Sequence, residues 1–89
     1  MKISEQKIEK ISEQVLAYLF SRNPQSIFTA HIGREIARDE EFIKKILISL
    51  KKKKLVIEVK KNKEGLDYLR RSRWKLSTEA YNSYKQAQL

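Results

Sequence analysis

At Leu55 the spacing of apolar residues changes from three-and-four to two, so a helix must hand over almost directly to a strand. Upstream, Phe42, Ile43, Ile46, Leu47 and Leu50 keep helical spacing, with Lys44, Lys45, Ile48, Lys51 and Lys52 on the opposite side. Downstream, Leu55, Ile57 and Val59 alternate with Val56, Glu58 and Lys60, the pattern of a half-buried strand with Leu55, Ile57 and Val59 as its apolar side. The polar run Lys61-Asn62-Lys63-Glu64-Gly65, with Asn and Gly able to take positive φ, then predicts a hairpin tip. A return strand follows over about residues 68–76. On it Trp74 and Leu76 share one face, while Leu69, Arg71, Arg73 and Lys75 share the other. The hairpin thus offers an apolar side to a core and a cationic side to solvent.

The segments around this unit are helical. Ser4 is placed to cap a first helix, with Ile8 four positions on to staple back onto Ile3. Ile8, Ile11, Val15, Leu16 and Leu19 form its apolar face, and Asn23-Pro24 ends it. Ile27 and Phe28 predict one short strand, and Thr29 is placed to cap a second helix from Ala30 to about Arg38, with Ile32, Ile36 and Ala37 inward. Asp39 is an N-cap for the third helix, and Glu40 and Glu41 in its first turn suit the helix dipole. Ser77 caps a last helix, residues 78–88. Its stripe of Ala80, Tyr81, Tyr84, Ala87 and Gln88 suits packing on the first helix or on a second subunit. No internal repeat, linker or low-complexity segment interrupts the chain.

Length and composition narrow the function. The 89 residues fit a single domain, residues 1–89, small enough that a homodimer through the first and last helices is an open expectation. Without cysteine there is no disulfide framework or thiolate site, and a single histidine, His31, leaves no basis for a metal or a catalytic triad. No cofactor is expected. The apolar runs are far shorter than the roughly 20 residues of a membrane span, and the first residues do not form a signal peptide, so a cytoplasmic protein without membrane contact is expected. Charge is asymmetric: residues 1–40 hold six basic and six acidic residues, and residues 41–89 hold fourteen and five, which accounts for the whole net charge of +9. Between Lys51 and Lys75 alone there are eleven basic and three acidic residues, a concentration that points to a polyanionic partner.

The stretch Ile43-Lys44-Lys45-Ile46-Leu47-Ile48-Ser49-Leu50-Lys51-Lys52-Lys53-Lys54-Leu55-Val56 resembles the recognition helix and first wing strand of MarR-type and related bacterial and archaeal transcriptional regulators. Arg73-Trp74-Lys75-Leu76-Ser77-Thr78-Glu79-Ala80 is similar to the family's second wing strand and its Leu-Ser/Thr lead into the final helix. The resemblance covers nearly the whole chain. It implies an α+β, mostly α fold, a winged helix-turn-helix with a three-helix core, a β-hairpin wing and a C-terminal helix. Three departures stand out. Only five residues separate Ala37 from Ile43, about three fewer than is usual, so the turn there must be tight or remodelled. The family's frequent glycine between recognition helix and wing is Lys54 here, so the helix either ends without a left-handed residue or forces Lys54 into that conformation. Finally, Asp39, Glu40 and Glu41 place carboxylates where a recognition helix commonly approaches DNA.

The resemblance implies sequence-specific binding of double-stranded DNA by a transcriptional regulator. The recognition helix, about residues 40–53, would enter the major groove, and the wing, about residues 55–76, would lie on phosphates or in the minor groove. Lys44, Lys45 and Ser49 would face base edges, with Ile48 set to meet a thymine methyl, while Lys51, Lys52 and Lys53 neutralise phosphates. On the wing the same work falls to Lys60, Lys61, Lys63, Arg70, Arg71 and Arg73, with further phosphate contacts from Arg34 and Arg38. Simpler roles compete: a solvated helix end for the lysine run, a surface position for Ile48, core packing for Trp74, helix packing for Tyr81 and Tyr84, and an exposed helix position for His31. An enzyme has the least support, because the chain lacks a glycine-rich phosphate loop and any nucleophile–base pair. A winged helix serving as a protein-interaction or assembly module is the alternative, with RNA binding behind it, since the aromatic residues are not interleaved with the basic ones.

Overall fold

The computed structural model describes residues 5–59 and 72–87. Over these, the chain forms α1 (Glu5–Arg22), β1 (Ile27–Phe28), α2 (Thr29–Ile36), α3 (Glu40–Lys52), β2 (Val56–Val59), β3 (Arg73–Leu76) and α4 (Thr78–Ala87). Over these residues the predicted order of elements is met, including the two-residue strand at Ile27; the Ser4 cap with its Ile3 staple, the hairpin tip at 61–65 and the return strand before Ser72 lie outside the described residues. The strands form one antiparallel sheet in the order β1-β3-β2. Ile27 pairs with Trp74, while Val56 pairs with Leu76 and Glu58 with Trp74.

One apolar cluster holds the elements together. Ile11, Val15 and Leu19 from α1 meet Ile32 of α2, the face of Ile43, Ile46, Leu47 and Leu50 on α3, and Val56, Trp74 and Leu76 from the sheet. Each such side chain stabilises by about 1.5–3 kcal/mol relative to exposure. Ala80 adds the start of α4, whose Tyr81 and Tyr84 rings both lie against Phe20 of α1 at centroid distances of 5.2 and 5.5 Å. The last helix therefore packs on the first, as its stripe predicts. Burial pushes the Tyr84 hydroxyl above its usual range, and the nearby Glu13 carboxylate adds to the effect.

Local signals work where a side chain has a single option. Asp39 Oδ2 accepts from the Phe42 N–H at 3.4 Å, and Ser77 Oγ accepts from the Ala80 N–H at 3.1 Å, so both predicted caps form. Thr29 does something else. It is the first residue of α2, the cap position is Phe28, and no side chain caps the helix. The Thr29 hydroxyl accepts from the Trp74 indole N–H at 2.7 Å and donates to the Ser72 carbonyl at 3.5 Å. A buried indole donor requires an acceptor, and this demand outweighs a cap that the backbone can do without. Ala37 is exposed instead of inward, because it leaves the helix with φ 60°, and Gly33 takes the buried place behind Ile32.

The face of β2 is also opposite to the one its apolar residues suggest. Val56 is buried and Glu58 points the same way, whereas Ile57 is 42% exposed. Pairing explains the inversion: Trp74 and Leu76 point into the core, and their partners Glu58 and Val56 must share that side. Register set by the larger residues on β3 therefore fixes β2.

Candidate nucleic-acid interface

The polar side of α3 is exposed along its length, because its opposite side carries the core residues. Lys44, Lys45, Ile48, Ser49, Lys51, Lys52 and Lys53 all face solvent, Ile48 being 39% exposed. Helical geometry divides them into three strips. Lys45, Ile48 and Lys52 run down the outermost line, headed by Glu41. Ser49 and Lys53 turn toward α1, where with Lys45 they edge a groove floored by Ile8, Leu16, Phe42 and Leu55. Lys44 and Lys51 lie on the flank toward the hairpin. Lys51 reaches across that flank, and its Nζ lies 2.9 Å from Glu58 Oε1 on β2. Lys44, Lys45, Lys52 and Lys53 have no ion pair among the described residues.

Charge along α3 is graded. Asp39, Glu40 and Glu41 stand at its start and Lys51 and Lys52 in its last turn, so both ends complement the helix dipole. The end with the greatest positive potential is the one that adjoins the hairpin. Lys54 follows with φ 64°, in the left-handed conformation a glycine would take more easily, so the second of the two options for this junction is the one adopted. The Leu55 N–H then reaches the Leu50 carbonyl at 3.0 Å and turns the chain into β2.

Arg34 and Arg38 are exposed on α2 and in the turn before α3. Arg73 is half-buried on the outer side of β3, its guanidinium 4.4 Å from the centre of the Phe28 ring, with Lys75 half-buried on the same side. Lys60, Lys61, Lys63, Arg70 and Arg71 lie outside the described residues. Trp74 is in the core, as its alternation predicts. His31 is half-buried, stacked beside Tyr18 at 6.3 Å with Glu35 one helical turn away. Among the described residues no three of His, Asp and Glu gather to hold a metal ion. No helix there is long and apolar enough to cross a membrane.

One residue of this region escapes a reading by pattern. Glu58 stands between Ile57 and Val59, its side chain only 12% exposed, with Lys51 on one carboxylate oxygen and the Ser72 hydroxyl donating to the other. The available signal was an acidic residue within a short β-branched run, seven positions after a lysine in the helix before it.

No protein-family model and no curated protein matches the sequence. Solved structures do match. The chain superposes on a complex of S. aureus MepR with DNA at TM-score 0.73 and 19% identity, over 94% of this chain and 68% of that one. A MepR mutant from a multidrug-resistant S. aureus clinical isolate matches at TM-score 0.69 and 20% identity, over 92% and 60%. Lactococcus lactis ZitR, a zinc-responsive MarR family member, matches at TM-score 0.67 and 17% identity, over 99% and 53%. The chain thus spans about half to two thirds of these proteins. Among the described residues, four helices, a three-stranded antiparallel sheet and a basic helix running directly into β2 give the chain the winged helix-turn-helix fold of MarR-type transcription regulators.

Proposed function

We propose that the chain binds double-stranded DNA through α3 and the hairpin and acts in the cytoplasm as a transcription regulator. The observation that carries this reading is the exposed cationic side of α3, set in a fold that MepR presents in complex with DNA. The roles divide by position. Lys44, Lys45 and Ile48 face base edges in the major groove, with Ser49 at the margin beside α1. Lys52 and Lys53, the basic hairpin residues and Arg34 and Arg38 neutralise phosphates. The acidic start of α3 favours an approach led by its central and C-terminal turns, because carboxylates at Glu40 and Glu41 repel phosphate.

The test is fluorescence anisotropy of a labelled random duplex titrated at several salt concentrations, with single-stranded RNA as the comparison. If six phosphates are neutralised, log affinity against log salt falls with a slope of about −5, at roughly 0.9 per contact. Replacing Lys52 and Lys53, the two lysines assigned to phosphate at the end of α3, together by alanine makes the slope shallower by about 1.8. Absence of duplex binding at low salt overturns the reading, and equal binding of RNA redirects it. A homodimer through α1 and α4 belongs to the same proposal. It would set two recognition helices about one DNA turn, roughly 34 Å, apart on a pseudo-palindromic site. Light scattering that gives a monomer at every concentration removes that part alone.

A further inference from the structure

We propose that Glu58 is a positioning residue: it braces α3 against the base of the hairpin and withdraws the Lys51 charge from DNA phosphate. The second half of this inference rests on the DNA-binding reading above; the first does not. Glu58 occupies an inward position on β2, opposite Trp74, because strand register places it there. A carboxylate with so little solvent around it is costly unless its oxygens are occupied. Here each is: Lys51 Nζ lies 2.9 Å from Oε1, and the Ser72 hydroxyl donates to Oε2. Ser72 stands immediately before β3, and its carbonyl accepts from Thr29, whose hydroxyl oxygen in turn accepts from Trp74. A single chain of polar contacts therefore joins the last turn of α3, both strands at the hairpin base and the start of α2.

The consequence concerns the angle between helix and wing, which decides whether both reach one duplex. α3 ends at Lys52 and turns sharply at Lys54, and the Lys51–Glu58 pair spans that corner seven residues apart. Lys51 is 48% exposed, so its ammonium is accessible yet committed to a partner that is only 12% exposed. A phosphate in solvent competes poorly with a carboxylate already held in a partly desolvated site. Lys51 is thus a brace, while its neighbour Lys52, which has no ion pair among the described residues, is left to meet phosphate.

The experiment compares the salt slope of duplex binding for the unaltered protein, Lys51→Met, Lys52→Met and Glu58→Gln. Lys52→Met is expected to make the slope shallower by about 0.9, and Lys51→Met to change it by less than about 0.3. Glu58→Gln, which releases the lysine charge, makes it steeper by about 0.9. Equal losses for the two lysine variants, or no change for Glu58→Gln, overturn the withdrawal of charge. Failure of the unaltered protein to bind any duplex strikes the DNA reading instead. The brace itself is judged by melting: Lys51→Met and Glu58→Gln each lower Tm, and the double variant melts no lower than the worse single one. Additive losses show that the two residues do not act together and overturn it.

Discussion

The turns at the two ends of α3 use one hydrogen-bonding pattern and are held by opposite means. At the first, Ala37 N–H reaches the Arg34 carbonyl at 3.3 Å and Arg38 N–H the Gly33 carbonyl at 2.9 Å. At the second, Lys54 N–H reaches the Lys51 carbonyl at 2.9 Å and Leu55 N–H the Leu50 carbonyl at 3.0 Å. Both are Schellman turns, and both place a residue other than glycine in the left-handed region, Ala37 at φ 60° and Lys54 at φ 64°. After the second turn comes Leu55, which falls back toward Leu50 and joins the apolar packing. After the first comes exposed Arg38, which has no apolar closure to make. There the backbone itself closes in: a Cβ on Gly33 would lie 2.9 Å from the Arg38 carbonyl oxygen and 3.6 Å from Glu40 Cα. One turn is set by side-chain burial, the other by close approach of two backbone segments. The glycine sits where space is short and is absent where φ is positive.

The largest expected effect breaks the second turn. Leu50→Ala removes the buried side chain beneath Leu55 and should cost about 2–5 kcal/mol, read from urea unfolding. A loss below about 1 kcal/mol would show that the hydrogen bonds alone hold this turn. Gly33→Ala tests the other. The new methyl gains helix propensity but must push aside a carbonyl, for a net loss of about 1–2 kcal/mol. Its neutrality would mean that the two backbone segments can separate freely, and the contrast between the turns would dissolve.

Substitutions that relieve strain act on both turns. Ala37→Gly and Lys54→Gly each remove a left-handed penalty of about 1–2 kcal/mol and add chain entropy to the unfolded state, for a net gain of about 0.5–1 kcal/mol. The gains should add in the double variant, because the turns stand at opposite ends of a helix about 20 Å long. Thermal melts of the three proteins give the answer, and a gain at only one turn would identify which of them is otherwise constrained.

The smallest effect concerns Tyr84, which with Leu55 and Lys54 lines the cleft over the second turn. Its folded-state pKa is raised, chiefly by burial and secondarily by Glu13. Its contribution to stability is therefore fully present below the unfolded value near 10 and is lost as pH rises through the folded value. Tm should decline above about pH 10, and Tyr84→Phe should decline less over the same window. Identical alkaline profiles for both proteins would refute the assignment.

Much of the fold can be read along the chain because each long element carries its own period. Ile43, Ile46, Leu47 and Leu50 can share a face only as a helix, and Trp74 and Leu76 only as a strand. Caps at Asp39 and Ser77 are equally local, since the acceptor lies three residues from its donor. The candidate interface follows from the same logic: a helix whose apolar face is spoken for must turn Lys44, Lys45 and Lys52 outward. Thr29 and Glu58 resist such reading because their partners are distant or depend on register: Trp74 for Thr29, and Lys51 with Ser72 for Glu58. Ala37 resists it because helical spacing does not reveal that the helix ends there, in a turn closed by the Arg38 N–H on the Gly33 carbonyl.

Sequence by itself thus determines the kinds and order of elements and the asymmetry of charge, because periodicity, capping and composition act within a few residues. Tertiary structure alone decides which face of β2 is inward, why the backbone crowds Gly33, and that Lys51, unlike Lys52, has an ion pair among the described residues. Those outcomes depend on which segments meet, and burial of Trp74 and Leu76 on β3 settles that question for the strand beside it.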